Sequence, residues 1–196
     1  MNTFFVTGLP RSRTAWMANY LTYGDTFCLH DGFCGLKNPF DMFGKFNEVA
    51  LRNNVSEVGN CDPANLYFID ALTKQFPKAK WLILNRDIEE CRKSCKEAFG
   101  QDRDLEFESQ QLEKLRTLAS SGKLVAMETD YRNLDNVPVM KEIFNFFQFP
   151  RKNWSLARHQ MLSTMLIQLT EERLARKDLC HPELFNYADK NECILA

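Results

Sequence analysis

Residues 4–16, which read Phe-Phe-Val-Thr-Gly-Leu-Pro-Arg-Ser-Arg-Thr-Ala-Trp, decide the fold of this chain. The apolar run at the start of the stretch is typical of a buried parallel strand. Gly8 and Pro10 break the run, and the residues from Ser12 onward can open a helix. A strand, a tight loop and a helix start bring unpaired backbone N–H groups and the positive end of a helix dipole to one point. The sequence therefore predicts an anion-binding loop here.

Two arginines in this loop, Arg11 and Arg13, suit a phosphate or sulfate, because the planar guanidinium group matches the geometry of such anions. A nucleoside-triphosphatase loop reads GxxxxGK(S/T), with the lysine on the terminal phosphates and the hydroxyl on magnesium. Counted from the glycine that follows the strand, the last three positions of that motif are Arg13, Thr14 and Ala15. The lysine is missing and a methyl group replaces the hydroxyl, which argues against hydrolysis of ATP or GTP.

The composition is that of a soluble globular protein, with 44% hydrophobic and 26% charged residues in 196. This length suits one domain, residues 1–196. A formal net charge of −1 gives no overall positive field, and no apolar run approaches the ~18 residues of a membrane span. We therefore expect neither nucleic acid nor a membrane as a partner.

The seven cysteines and three histidines show no paired spacing and no zinc-ligand pattern. An odd number of cysteines without a framework favours free thiols in a reducing compartment. The sequence therefore predicts a cytoplasmic protein without a structural metal.

Strand and helix patterns alternate along the rest of the chain. Strands are predicted at 26–29, 80–84 and 124–127, and helices at 39–49, 65–76, 88–99, 105–118, 136–147 and 155–176. Residues 53–59 are predicted to be a turn or a short exposed segment, and about the last 20 residues to be loosely structured. Strands separated by helices predict a three-layer α/β/α fold with a mostly parallel central sheet.

The loop resembles the 5′-phosphosulfate loop of the sulfotransferases that use 3′-phosphoadenosine 5′-phosphosulfate (PAPS). That loop runs Pro-(Lys/Arg)-Ser-Gly-Thr-Thr-(Trp/Leu), and the matching residues here are Pro10, Arg11, Ser12, Arg13, Thr14, Ala15 and Trp16. Arg13 replaces a glycine and Ala15 replaces a threonine. The resemblance covers residues 4 to about 150 and implies a P-loop nucleoside-triphosphatase-like, sulfotransferase-like fold.

A second likeness to the same family is the stretch RDIEECRKS, in which Ser94 follows Arg86 by the family spacing. In the family these two groups hold the 3′-phosphate of PAPS. Taken singly, Arg86 also suits a surface ion pair and Ser94 a small packing residue; together, downstream of a matching loop, they favour a PAPS site. Trp16 stands where the family packs the adenine ring, but an aromatic residue on a first helix is equally typical of a core.

The resemblance implies in-line transfer of a sulfuryl group from PAPS to a hydroxyl or amine, without a metal. Arg11 would stabilise charge on the leaving phosphate, and Ser12 and Thr14 would hold the 5′-phosphate. The acceptor would be a small molecule, a peptide or a glycan.

The base that an acceptor hydroxyl needs is predicted just past the second strand, at the carboxyl edge of the sheet. His30 is the first choice because its pKa range suits a base near neutral pH, and Asp31 is the second. His30 is equally suited to capping or packing at the strand end.

Two other functions remain open at this point. A nucleotide or small-molecule kinase with a degenerate P-loop would share the fold, although the missing lysine and hydroxyl argue against it. A non-catalytic nucleotide-binding module would keep the anion pocket without turnover, as Arg13 and Ala15 allow.

Overall fold

The computed structural model describes residues 1–30, 32–33, 36, 38–100, 102–150 and 155–162 of this chain. The strands are β1 (Asn2–Gly8), β2 (Thr26–Leu29), β3 (Glu57–Cys61), β4 (Lys80–Asn85) and β5 (Val125–Asp130). The helices are α1 (Thr14–Leu21), α2 (Met42–Asn53), α3 (Ile69–Gln75), α4 (Ile88–Phe99), α5 (Glu106–Ser120) and α6 (Val137–Phe147). Three 3₁₀ helices span Pro39–Asp41, Pro63–Phe68 and Tyr131–Asp135, and residues 156–162 are helical.

The five strands form one parallel sheet in the order β2-β3-β1-β4-β5. β1 lies at its centre, with Phe5 opposite Asn60 of β3 on one side and Trp81 of β4 on the other. Because successive side chains of a strand point to opposite faces, this strand supplies both cores. The sheet order and parallel pairing confirm the predicted α/β fold class.

Two buried hydrophobic clusters lie on opposite faces of the sheet. Phe5 and Trp81 belong to the first cluster, which packs against α2, α3, α4 and α5. Phe4 and Val6 belong to the second, which packs against α1, α6 and the helical residues 156–162. The arrangement is therefore a three-layer sandwich in which both helical layers contact the central strand.

The main error of the sequence prediction is β3, which lies where a turn was expected. The strand was missed because Glu57, Gly59 and Asn60 interrupt the apolar pattern that indicates a buried strand. All five residues of β3 are nevertheless buried. Glu57 accepts a hydrogen bond from Asn2 Nδ2 at 2.8 Å. A Cβ atom at residue 59 would overlap the ring of Phe4, so glycine is the residue that fits there.

Several element boundaries also differ from the prediction. The helix predicted at 39–49 begins as a 3₁₀ helix and continues as α2 to Asn53, and that predicted at 65–76 is a 3₁₀ helix followed by α3. Of the helix predicted at 155–176, residues 156–162 are helical and the remainder, with the C-terminal segment, lies outside the described residues.

The described cysteines, Cys28, Cys61, Cys91 and Cys95, are buried free thiols, as predicted. In the described part of the chain, no helix has the length and apolar character needed to cross a bilayer.

Candidate functional site

The anion-binding loop lies at the point where the connections of the sheet diverge. From β1 the chain passes through α1 towards β2, whereas from β4 it passes through α4 and α5 towards β5 on the other side. β1 and β4 are neighbours whose connections run in opposite directions, and in parallel sheets ligands bind in the crevice outside the carboxyl ends of such a pair. The β1–α1 loop, residues 9–13, and Arg86 just beyond β4 border this crevice.

Close backbone packing fixes the start of the loop. A Cβ atom at Gly8 would overlap the carbonyl oxygen of Leu84, so β1 ends directly against β4. The loop then turns back, with the N–H of Ser12 donating to the carbonyl of Leu9 at 3.2 Å. Arg11 (φ 73°) and Arg13 (φ 62°) both have left-handed backbones, which cost a residue with a Cβ about 1–2 kcal/mol each. Conformations of this kind persist only where neighbouring groups hold them, and they cluster at ligand sites.

The first turn of α1 presents its N–H groups to the crevice. Arg13 is the N-cap residue, and its carbonyl accepts the first helical hydrogen bond from Met17 N at 2.9 Å. The N–H groups of Thr14, Ala15 and Trp16 have no partner within a helix by its geometry. α1 has neither a side-chain cap nor an acidic residue in its first turn, so the positive end of its dipole is not neutralised there.

The two sequence motifs meet at this loop. Arg86 Nη1 donates to the carbonyl of Arg11, and Arg11 Nε donates to Ser94 Oγ at 3.2 Å. The guanidinium of Arg86 lies 4.5 Å from the ring centre of Tyr131 and 3.6 Å from a carboxylate oxygen of Glu90. Glu90 also accepts from Tyr131 Oη at 3.1 Å. Tyr131 and Glu90 therefore hold the guanidinium of Arg86 in contact with the loop backbone.

Two buried polar atoms next to the loop have no hydrogen-bond partner among the described residues, Ser12 Oγ and Arg86 Nε. Ser12 is 0% exposed, and its hydroxyl lies near the thiol of Cys91. Burial raises the pKa of Cys91 to about 11, and the charge of Arg86 and the Ser12 hydroxyl offset part of that effect. Arg86 Nε faces the Glu90 carboxylate at 3.6 Å, which is longer than a hydrogen bond, so this nitrogen keeps its capacity to donate one.

Arg13 points to a different partner. Its guanidinium makes two hydrogen bonds, of 3.0 and 2.9 Å, to the carboxylate of Asp135 and lies 4.4 Å from the ring centre of Trp16. Trp16 itself is only 2% exposed and stacks on Tyr20, with the ring centres 4.9 Å apart. Trp16 was expected either to pack against an adenine ring or to belong to the core, and its burial in the second hydrophobic cluster agrees with the core role.

The other loop residues divide between core and surface. Pro10 and Thr14 are buried, and the Thr14 carbonyl accepts a hydrogen bond from Cys61 Sγ at 3.0 Å. Ala15 is exposed, and its carbonyl accepts from Asn19 Nδ2 at 3.0 Å. Thr14 stands where a triphosphatase loop has its lysine, and Ala15 stands where that loop has its magnesium-binding hydroxyl. Neither side chain can take over the role of the residue that it replaces.

His30 follows β2 at the carboxyl edge and is 8% exposed. Its Nδ1 lies 2.6 Å from the carbonyl of Cys61. Because a carbonyl can only accept, Nδ1 carries the proton, and Nε2 is the nitrogen able to take one up. Asp31, the second predicted base, lies outside the described residues.

Sequence reasoning gave no site role to three residues that shape this edge. Asp62 follows the missed strand: its N–H donates to the carbonyl of Val6, and its carbonyl accepts from Thr7 Oγ1 at 3.1 Å. Tyr131 and Asp135 hold Arg86 and Arg13. An aspartate directly before a proline is a common sequence signal for a helix N-cap, so the position of Asp62 could have been found. Tyr131 and Asp135 gave no such signal, because they lie over 40 residues from the arginines that they contact.

No protein-family model matches the chain, and no curated protein does. Among solved structures, the chain is similar to an unliganded sugar kinase from Janibacter sp., with 14% identity and a TM-score of 0.52 over 79% of this chain and 99% of that one. It is also similar to a gluconokinase from Sinorhizobium meliloti, with 13% identity and a TM-score of 0.41 over 85% of this chain and 97% of that one. The first similarity agrees with a P-loop nucleoside-triphosphatase-like fold, as predicted.

This comparison contradicts the predicted sulfotransferase function, because the similar solved structure reported above is a sugar kinase and not a sulfotransferase. The likeness to the sulfotransferases rested on two short stretches whose parts, a helix N-terminus and two arginines, can bind any phosphate or sulfate. Of the functions left open by the sequence, the small-molecule kinase agrees better with this similarity. The site residues, the nucleotide and the acceptor stay predictions.

Proposed function

We propose that this chain is a phosphotransferase that binds a phosphorylated nucleotide at the β1–α1 loop and transfers a phosphoryl group to a small molecule. The observation that carries the proposal is the position of Arg86, whose guanidinium donates to the backbone of Arg11 where the N-terminus of α1 opens into the crevice between β1 and β4. The fold shared with a sugar kinase suggests a hydroxyl-bearing acceptor.

Positioning and charge stabilisation would supply most of the catalysis, because phosphoryl transfer leaves little covalent chemistry to the protein. Backbone N–H groups of the loop would hold the phosphate, and Arg11 would neutralise negative charge that develops during transfer. The Nε2 atom of His30 is the nitrogen that could accept the proton of the acceptor hydroxyl.

The described residues do not fit the magnesium site of a triphosphatase loop. Ala15 provides a methyl group where the hydroxyl ligand would be, and the carboxylate of Asp62 is bound to the N–H of Ala64 at 2.8 Å. Within the described ranges, no three histidine, cysteine, aspartate or glutamate side chains come together as metal ligands.

One observation favours a second candidate, a nucleotide-binding module without turnover. The guanidinium of Arg13, the loop charge nearest the start of α1, is engaged by Asp135. A loop that lacks the lysine and holds this arginine elsewhere can still bind phosphate through its backbone without stabilising a transition state.

Calorimetric titration with ATP, AMP and 3′-phosphoadenosine 5′-phosphate tests the proposal. We expect at least one of them to bind wild type, and Arg11→Ala to weaken that binding at least about tenfold, since a charge-assisted hydrogen bond contributes about 1.5–3 kcal/mol. Arg52→Ala, an exposed arginine in the last turn of α2, is the matched control and should bind like wild type.

Transfer of label from ATP to a panel of sugars and sugar acids then separates the two candidates. Transfer that His30→Ala abolishes would support the phosphotransferase, whereas nucleotide binding without transfer to any acceptor would favour the module. A wild-type protein that binds none of the three nucleotides would reject both candidates. An Arg11→Ala variant that binds as tightly as wild type would reject a role of Arg11 in nucleotide binding. Preference for the 3′-phosphorylated nucleotide, lost in Arg86→Ala, would identify Arg86 as a ligand of that phosphate.

A further inference from the structure

Arg13 occupies a backbone conformation that favours glycine. Only four described non-glycine residues have positive φ, and two of them, Arg11 and Arg13, lie within this one loop. At Arg13 the conformation sets the direction of α1, because the residue is the N-cap and its carbonyl accepts the hydrogen bond from Met17. A left-handed residue at this point turns the following N–H groups towards the crevice, as in the anion-binding nests formed by successive backbone amides.

Side-chain contacts hold Arg13 in place. Both terminal nitrogens bind the carboxylate of Asp135, and the guanidinium lies over the ring of Trp16. Asp135 is itself anchored, since its carbonyl accepts a hydrogen bond from His159 Nε2 at 3.1 Å. Arg13 thus joins the loop to the segment after β5, whereas Arg11 contacts Ser94 on α4.

We propose that Arg13 is a positioning residue, whose side chain binds Asp135 and Trp16 so that its backbone stays left-handed and the first turn of α1 faces the anion. The side chain would then act on ligand affinity through the loop backbone and not by touching the ligand. This inference rests on the proposed nucleotide binding, and it differs from the sequence-based expectation that Arg13 contacts the phosphate directly.

The test compares two substitutions at residue 13 by nucleotide titration. Arg13→Ala keeps a Cβ in the left-handed region but removes the contacts that hold it there, so we expect about tenfold weaker binding. Arg13→Gly removes the same contacts but also removes the strain, so we expect binding within about threefold of wild type. If Arg13 touched the ligand, both variants would lose affinity to the same extent, and that result would overturn the proposal, as would an unchanged affinity in Arg13→Ala.

A second comparison uses the partner carboxylate. Asp135→Ala should weaken binding about threefold in the wild-type background and have no effect in the Arg13→Gly background, where nothing remains to be held. If Asp135 merely repelled an anionic ligand, its removal would tighten binding in both backgrounds, which would also reject the proposal. Gln148→Gly, at another left-handed position after α6, is the matched control and should leave affinity unchanged.

Amide hydrogen exchange provides a readout that needs no ligand. The N–H of Met17 bonds to the carbonyl of residue 13, so it should exchange faster in Arg13→Ala than in Arg13→Gly. If the wild type bound no nucleotide, the proposed function would fail while this difference in exchange would still decide whether Arg13 positions the loop. Equal exchange in the two variants would overturn the positioning role.

Discussion

At the scale of single residues, the loop depends on strained backbone conformations that contacts with neighbouring side chains stabilise. Arg11 and Arg13 are both left-handed, and each has its own support, from Arg86 and from Asp135 respectively. Residues that break a local conformational rule tend to lie at functional sites. The strain of the loop is therefore evidence for a role of the loop itself.

Gly8 is the residue whose substitution should disturb the loop most directly. In Gly8→Ala the new Cβ would overlap the carbonyl oxygen of Leu84, so β1 and β4 must separate, and we expect a loss of about 1–3 kcal/mol in the free energy of unfolding. Urea unfolding measures the loss. Gly44→Ala is the control: no atom lies within 4 Å of its new Cβ, and in α2 alanine should stabilise by about 0.5–1 kcal/mol. A Gly8→Ala variant as stable as wild type would mean that β1 and β4 can separate without a loss in the free energy of unfolding.

At the scale of elements, α1 is held at both ends. Its N-terminus is fixed by Arg13, and its C-terminus by Arg158, whose guanidinium donates to the carbonyls of Asn19, Tyr20 and Thr22 at 2.8–3.0 Å. Arg158 is buried, and burial lowers its pKa to about 10. A cation at the negative end of a helix also interacts favourably with the dipole.

Removing that cation should destabilise the protein more than an ordinary surface substitution. Arg158→Met keeps an apolar stem of similar length but leaves three helix-end carbonyls without their donor, so we expect a loss of about 2–4 kcal/mol. Thermal and urea unfolding measure it. Arg132→Met, at an exposed arginine paired with Asp130, is the comparison and should destabilise the protein much less than Arg158→Met, because solvent screens a surface ion pair. Equal losses in the two variants would show that the carbonyls find other partners.

Elements with a regular apolar pattern and local end signals were predictable from the sequence. α4 is the best example, because Asp87 caps it by accepting from the N–H groups of Glu89 and Glu90, and Gly100 ends it. β3 was not predictable, since the polar side chains of Glu57 and Asn60 are buried with hydrogen-bond partners distant in sequence, Asn2 and the N–H of Gly32. The loop was predicted to be an anion site, and Arg86 and Ser94, which contact Arg11, were singled out by their spacing. Asp135, the partner of Arg13, lies 122 residues away in sequence, and no local pattern indicates it.

At the scale of the whole molecule, one buried acid should shape the dependence of stability on pH. Glu57 is 7% exposed, and burial raises its pKa above the ordinary value of 4.5. Between the unfolded and folded pKa values the folded protein binds more protons than the unfolded chain, so the free energy of unfolding decreases as the pH rises through that range.

Glu57→Gln should remove this decrease. Glutamine can still accept the hydrogen bond from Asn2, so we expect the variant to be more stable than wild type at pH 7 and equally stable below about pH 4.5, the ordinary value for a glutamate. Urea unfolding from pH 4 to pH 8 measures the difference. The exposed Glu48→Gln in α2 should run parallel to wild type, and a Glu57→Gln curve that did the same would contradict the expectation.

The central place of β1 in the sheet has a consequence for how the protein is made. Phe5 pairs with Asn60 on one side and Trp81 on the other, and both partners follow it in the sequence, so neither neighbouring strand exists when β1 is synthesised. At about 5–20 residues per second, the strand waits several seconds before β4 has been synthesised. Throughout that interval the apolar segment has neither neighbouring strand, and the contacts of the arginine loop with Arg86 and Ser94 form only after β4 and α4 have been translated.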